Sequence, residues 1–296
     1  MATRARAELI LLSGARELLA AHQAEIPQRD DLCGAFCVAL ALRAATGAAP
    51  VEGAKGPGGA AGDVDAIDQD AVALAARSVV SRLVDSGHLP KGERSRRDYR
   101  LTLPLIEDGS RSGTTAAGLV HAIGELSGGA LAAIPYARPW SPRTLSGLFD
   151  ALGGLQRPVT VVANVATRHL WGSRPSAAQL LAYLLDGEQE GPAADWDVGH
   201  FVCVIGSVRG PAGRLYCVAD TYPSLGSHGV HLQPQERLAL ALRRPGMAAG
   251  GLMVVAASED APRVRAGADE LGLEEGVWDN GSVMAEMSAG IGRDHA

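Results

Sequence analysis

"DVGHFVCVIGSVRGPAGRLYCVADTYP", residues 197–223, is the stretch on which the fold turns. Two runs rich in Val, Ile, Phe, Tyr and Cys flank "RGPAG", a short Gly/Pro connection. That pattern predicts an antiparallel hairpin with its turn near residues 209–213. A hairpin returns the end of its second strand beside the start of its first. His200 opens the first run and Asp220 closes the second, so the two are expected as neighbours.

Working outward, "RPVTVVANV" (157–165) and "GLMVVAA" (251–257) read as buried strands, with "ALAAIPY" (130–136) as a shorter one. Helical spacing returns in "AAGLVHAIGELS" (116–127), in "SPRTLSGLFDALGGL" (141–155) with Pro142 in its first turn, in "SAAQLLAYLLDG" (176–187) and in "LQPQERLALALRR" (232–244). Nearer the N-terminus, Leu9, Leu12, Leu18 and Leu19 suit an amphipathic helix, and a further helix is expected over about 68–86 with Asp68 as its cap. Helices dominate early and antiparallel strands late, which is an α+β order and not an alternating βαβ one. One domain is expected over 1–262, carrying a flexible Gly/Pro-rich loop at 47–63. The polar residues 263–296 read as a peripheral or partly disordered tail, and the basic stretch "KGERSRRDYR" (91–100) as a solvated loop.

The chain has 296 residues, 47% of them hydrophobic but only 4% aromatic, and a formal net charge of −6. A globular core built from Ala, Val and Leu follows. The acidic balance and the lack of a sustained Lys/Arg run argue against nucleic acid or an anionic membrane as partner. Near the N-terminus the apolar run Leu9–Leu12 is too short for a signal segment or a membrane span, so the expected compartment is the cytoplasm. There, four cysteines are expected as free thiols and not as a disulfide framework.

"DDLCGAFCVALALRAA" (30–45) places Cys33 where a polar lead-in meets a helix running to about Thr46. A thiol becomes a useful nucleophile when its thiolate is stabilised, and a helix N-terminus together with a neighbouring imidazolium does so. Gly34 lets the backbone pass closely, whereas Cys37, one turn on, is expected to point into the core with Cys203 and Cys217. Of the eight histidines, His200 is the best placed to serve Cys33, directly after Gly199 at a strand mouth, with Asp220 to orient its ring.

These blocks, "Q-x4-CGAFC", "GHFVCVIG" and "YCVADTYP" in that order, resemble the signature blocks of C39-type peptidases, a papain-like cysteine peptidase group. The resemblance covers the Cys33 helix and roughly residues 157–257. It implies a papain-like fold, with an N-terminal helical half carrying the Cys helix packed on a C-terminal antiparallel sheet. It also implies a nucleophile at Cys33, a general base at His200, an orienting group at Asp220 and an oxyanion-hole glutamine at Gln28. Gln28 stands one residue closer to the cysteine than the pattern has it, and Leu32 replaces an acidic residue that often precedes the cysteine. The activity implied is that of a cysteine-dependent hydrolase or acyl transferase acting on a peptide, amide or ester carbonyl. The alternative is an inactive module that grips a peptide in the same cleft.

His169 and Trp171, which follow a strand, and Trp196, beside Asp195 and Asp197, are candidates to line that cleft with Gly34 and Gly199; surface loops are the plainer reading. His228 and His231 have the spacing of a metal pair, but no neighbouring ligands complete a set. No metal or cofactor is expected, and no phosphate-binding or dinucleotide fingerprint is present.

Overall fold

In the computed structural model, which describes residues 7–47, 67–83 and 86–285, the chain runs β1 (Glu8–Leu11), α1 (Ala15–Glu25), α2 (Cys33–Thr46), α3 (Gln69–Ala75), β2 (Val80–Ser81), β3 (Leu105–Ile106), α4 (Ala116–Leu126), β4 (Leu131–Arg138), α5 (Pro142–Leu152), β5 (Val159–Ala166), α6 (Ala177–Asp186), β6 (Gly199–Arg209), β7 (Arg214–Ala219), β8 (Val230–Pro234), α7 (Gln235–Arg243), β9 (Gly251–Ala257), α8 (Ala261–Asp269) and β10 (Glu274–Glu275). The class is mixed α+β, with helices gathered in the N-terminal half and one large antiparallel sheet. That sheet runs β10-β4-β9-β5-β6-β7-β8, and β1 also pairs with β6.

The hairpin anchors it. β6 and β7 pair antiparallel from Cys203 opposite Ala219 to Arg209 opposite Arg214. With its 11 residues, β6 outruns its other neighbour, since β5 pairs only with Gly199 to Val204. The backbone groups left beyond that point are taken by β1, from Leu11 opposite Gly206 to Glu8 opposite Arg209. This is why the leucine pattern misleads at the N-terminus: Leu9 lies on a strand, 61% exposed, and the helix starts only at Ala15.

Both faces of the sheet are covered. Val162, Phe201, Cys203, Ile205, Met253 and Val255 face α2, whose residues Gly34 to Ala44 are all buried, with α1, α3 and α4 around it. The alternate residues Val161, Ala163, Val202, Val204, Leu252 and Val254 pack on the other side against α5, α7 and α8. Strands sandwiched this way need apolar side chains on both faces, and every residue of β5 is buried.

Local chemistry sets the helix starts. Asp68, Thr115, Ser141 and Ser176 each accept a hydrogen bond from the first turn of α3, α4, α5 and α6. The helix expected over 68–86 stops at Ala75, because the β-branched Val79 and Val80 pair instead with Gly113 and Leu105. The basic stretch 91–100 is tied down: Arg100 forks Asp68 at 2.8 and 3.0 Å, and Arg97 Nη1 donates to Arg82 O at 2.9 Å. Residues 263–285 are not peripheral either. They complete α8, add β10 to the sheet edge and bury Trp278 in the core on the α2 side. The Gly/Pro-rich segment 48–63 and residues 286–296 lie outside the described residues. No helix among the described residues is long and apolar enough to cross a membrane.

Candidate active site

Cys33 is the first residue of α2. No side chain caps this helix start and no acidic residue occupies its first turn, so the positive end of the helix is left uncompensated at the sulfur. The lead-in aspartates face away on structural duty. Asp31, at φ 63, accepts from Ser81 N at 2.8 Å and Ser112 Oγ at 2.9 Å, and Asp30 accepts from Arg96 N at 2.9 Å. Together they brace the loops around the helix mouth. Cys33 is partly exposed, whereas Cys37, Cys203 and Cys217 are buried, and all four thiols are free.

His200 and Asp220 meet at the open end of the hairpin. His200 Nε2 donates to Asp220 Oδ1 at 3.0 Å, with Thr221 Oγ1 3.2 Å from the same nitrogen. A ring whose Nε2 is engaged this way has Nδ1 left, and the Cys33 sulfur is near enough to the same ring to raise its pKa. Burial pulls the His200 pKa down, but the Asp220 charge, its hydrogen bond and the Cys33 sulfur outweigh that and raise it to about 10. Asp220 is buried too, which by itself would raise its pKa; the charge and hydrogen bond of His200, then His231, hold it well below the usual carboxylate range instead.

A backbone N–H and a second imidazole also fix this carboxylate. Thr221 N donates to Oδ1 at 2.7 Å, and His231 Nε2 donates to Oδ2 at 3.4 Å. The Gln233 amide is locked in orientation by the Trp171 backbone, accepting from its N at 2.8 Å and donating to its O at 2.9 Å. The same Gln233 Nε2 donates to His231 Nδ1 at 3.0 Å, so His231 is aimed at Asp220 by its other nitrogen. His22, buried against Phe36, donates from Nε2 to the Asp220 carbonyl at 2.6 Å. Burial lowers its pKa, against the pull of Asp220.

An aromatic wall closes the pair off. The Trp196 ring lies 4.8 Å from His200 and 5.5 Å from Tyr222, both edge-on, and Tyr222 stacks on His200 at 6.0 Å. Gln28 joins this wall: its backbone N–H bonds Thr221 O at 3.1 Å and its side-chain amide bonds Tyr222 OH at 2.9 Å.

Cys33, His200, Asp220, Gln28 and Trp196 are thus brought to one place. The remaining candidates are not. Gly34 faces the core, where a Cβ would come within 3.2 Å of Leu119 and Phe201, so glycine there lets α2 approach α4 and β6. Trp171 is buried beside Tyr183 at 5.7 Å, and it reaches the site only through Gln233. His169 lies next to Arg168, with burial and that charge lowering its pKa, and is away from Cys33, His200 and Asp220. Gly199 abuts the Arg244 guanidinium. His228 and His231 part company: the second supports Asp220, while the first sits in a left-handed turn at φ 50.

Sequence reading missed Tyr222, Asn164 and Arg244. Asn164 carried a signal, a lone amide in the otherwise apolar strand β5; it is buried, and its Nδ2 reaches His200 O at 3.4 Å. No curated protein matches the chain significantly. A family model described as a family of unknown function (DUF6885) matches residues 12–279, and the chain belongs to that family.

Proposed function

We propose that the protein is a papain-like, cysteine-dependent acyl hydrolase or acyl transferase acting on a peptide, amide or ester carbonyl. His200 takes the Cys33 proton, or holds it as an ion pair, and the sulfur attacks the carbonyl carbon. The tetrahedral oxyanion collapses, the carbon–heteroatom bond breaks, and the leaving group departs with the proton from His200. The thioester is then opened by water or by an amine, with His200 as base, which releases the acid or the new amide and restores the thiol.

The observation that carries this reading is a buried imidazole 3.0 Å from a carboxylate, with the thiol of an uncapped helix start near enough to raise its pKa. Trp196 and Tyr222 support it by excluding water from the His200–Asp220 hydrogen bond, which strengthens in a low dielectric. The Cys33 N–H and the Gln28 amide are suited to receive the oxyanion. Gln28 Oε1 is buried without a partner among the described residues. A half-turn of that amide lets Tyr222 OH donate to Oε1 and frees the NH2 group for the oxyanion.

The test is alkylation by iodoacetamide across pH, followed at each cysteine by mass spectrometry, with an ester or peptide library added to trap an acyl group on Cys33. Selective reaction of Cys33 below neutral pH and an acyl adduct there are expected. Equal, slow reaction of Cys33 and Cys217 would leave a binding module in place of an enzyme.

A further inference from the structure

Arg244 is left over by the chemistry above. It follows α7 in the left-handed conformation (φ 46, ψ 52), a helix-ending position that glycine takes with less strain. α7 packs on the face of the sheet opposite α2, yet the Arg244 side chain crosses to the α2 face past two glycines. A Cβ at Gly250 would lie 2.6 Å from Arg244 Cδ, and one at Gly199 would fall on Nη2. Across the sheet end, Nη1 donates to Asn164 Oδ1 at 2.5 Å and to Ala249 O at 3.1 Å, and Trp278 Nε1 donates to the same Asn164 oxygen at 3.2 Å.

This arginine is 4% exposed, and its Nε is buried with no acceptor. Among the described residues no carboxylate pairs with it; its guanidinium lies against Gly199, the chain neighbour of His200, and shares Asn164 with the His200 carbonyl, while burial lowers its pKa and Cys33 acts against that. Burying a cation without a counter-ion is costly by several kcal/mol, and neither α7 nor the Asn164 contact requires a charge. A guanidinium edge with Nε unpaired is the side that takes a carboxylate in a two-point fork. Resting on the acyl-transfer reading, we propose that the substrate carries a carboxylate close to the carbonyl attacked by Cys33, and that Arg244 receives it.

Iodoacetate and iodoacetamide test this directly. Both alkylate the sulfur with loss of iodide, and only the first has a carboxylate beside the reacting carbon. At Cys33 of the native protein, iodoacetate is expected to be preferred and to saturate. Arg244→Gln should slow iodoacetate by about 10- to 100-fold, the range for hydrogen bonds to charged groups, with little change for iodoacetamide. Gly199→Ala, which pushes the guanidinium aside while keeping its charge, should act in the same direction. If Arg244→Gln slows both reagents alike, or neither, Arg244 serves the thiol or the fold and the proposal fails. Should that variant not fold, protection of native Cys33 from iodoacetamide by succinate but not by succinamide keeps the proposal, and equal protection overturns it. The acyl-transfer reading fails on the iodoacetamide rate alone and the Arg244 proposal on the ratio of reagents, so either can fall without the other.

Discussion

Asp220 is a buried carboxylate that no lysine or arginine neutralises among the described residues; it is held by His200, His231 and the Thr221 N–H. Each of those donors has its own anchor, so an amide in place of the carboxylate sets an NH2 group against at least one of them. Asp220→Asn should therefore lower the single-turnover acylation rate by about 10³- to 10⁴-fold, as loss of the orienting carboxylate does in such triads. A drop of less than tenfold would mean that His200 is oriented by Thr221 and the aromatic wall alone. The same pair predicts a pH dependence. The His200 pKa is raised from 6.5 to about 10, so the stability it adds is full below 6.5 and is lost as pH rises through about 10. The melting-temperature gap between the native protein and His200→Gln should shrink from pH 7 to pH 10, and a constant gap would show that the imidazole is not charged in the folded state.

The hairpin was legible because β-rich runs and a Gly/Pro turn are local signals, and hairpin geometry alone makes neighbours of His200 and Asp220. The α2 start was legible for a similar reason, since polar residues give way to an apolar run at Cys33. β1 was not, because "ELIL" has no strand alternation; its state is set by the unpaired half of β6, which lies far along the chain. β8 was missed likewise, hidden between the turn at His228 and the start of α7. Arg244 left no trace in the sequence, because the course of its side chain depends on two distant glycines, Gly199 at the start of β6 and Gly250 just before β9. One glycine in β6 carries an element-scale prediction. A Cβ at Gly206 would collide with Ile10 O and lie 2.9 Å from Leu11 Cα, so Gly206 is what allows β1 to lie so near. Gly206→Ala should cost about 1–3 kcal/mol, the usual range for overpacking. Faster amide exchange confined to Leu9–Leu12 would identify β1 as the displaced element, whereas unchanged exchange there would refute the assignment.

At the scale of the whole molecule, the sheet end that holds the site is assembled from three distant parts of the chain. α2 supplies the sulfur, β6 and the residue after β7 supply the imidazole and carboxylate, and the segment after β10 supplies Trp278, whose ring lies on Gly251 and whose N–H meets Asn164. Trp278→Ala removes a buried aromatic side chain and leaves a void between β9 and α2, so it should cost about 3–5 kcal/mol in denaturant unfolding. A cost under 1 kcal/mol would return residues 276–285 to a peripheral role.

The split origin of the site has a consequence in time. During synthesis the sulfur-bearing helix leaves the ribosome well before the imidazole and carboxylate that would arm it, and domains fold as units once their closing segments are available. On the proposed acyl-transfer reading, a nascent or prematurely terminated polypeptide ending before residue 200 would hold an ordinary, unarmed cysteine, and neighbouring nascent chains would be spared its chemistry.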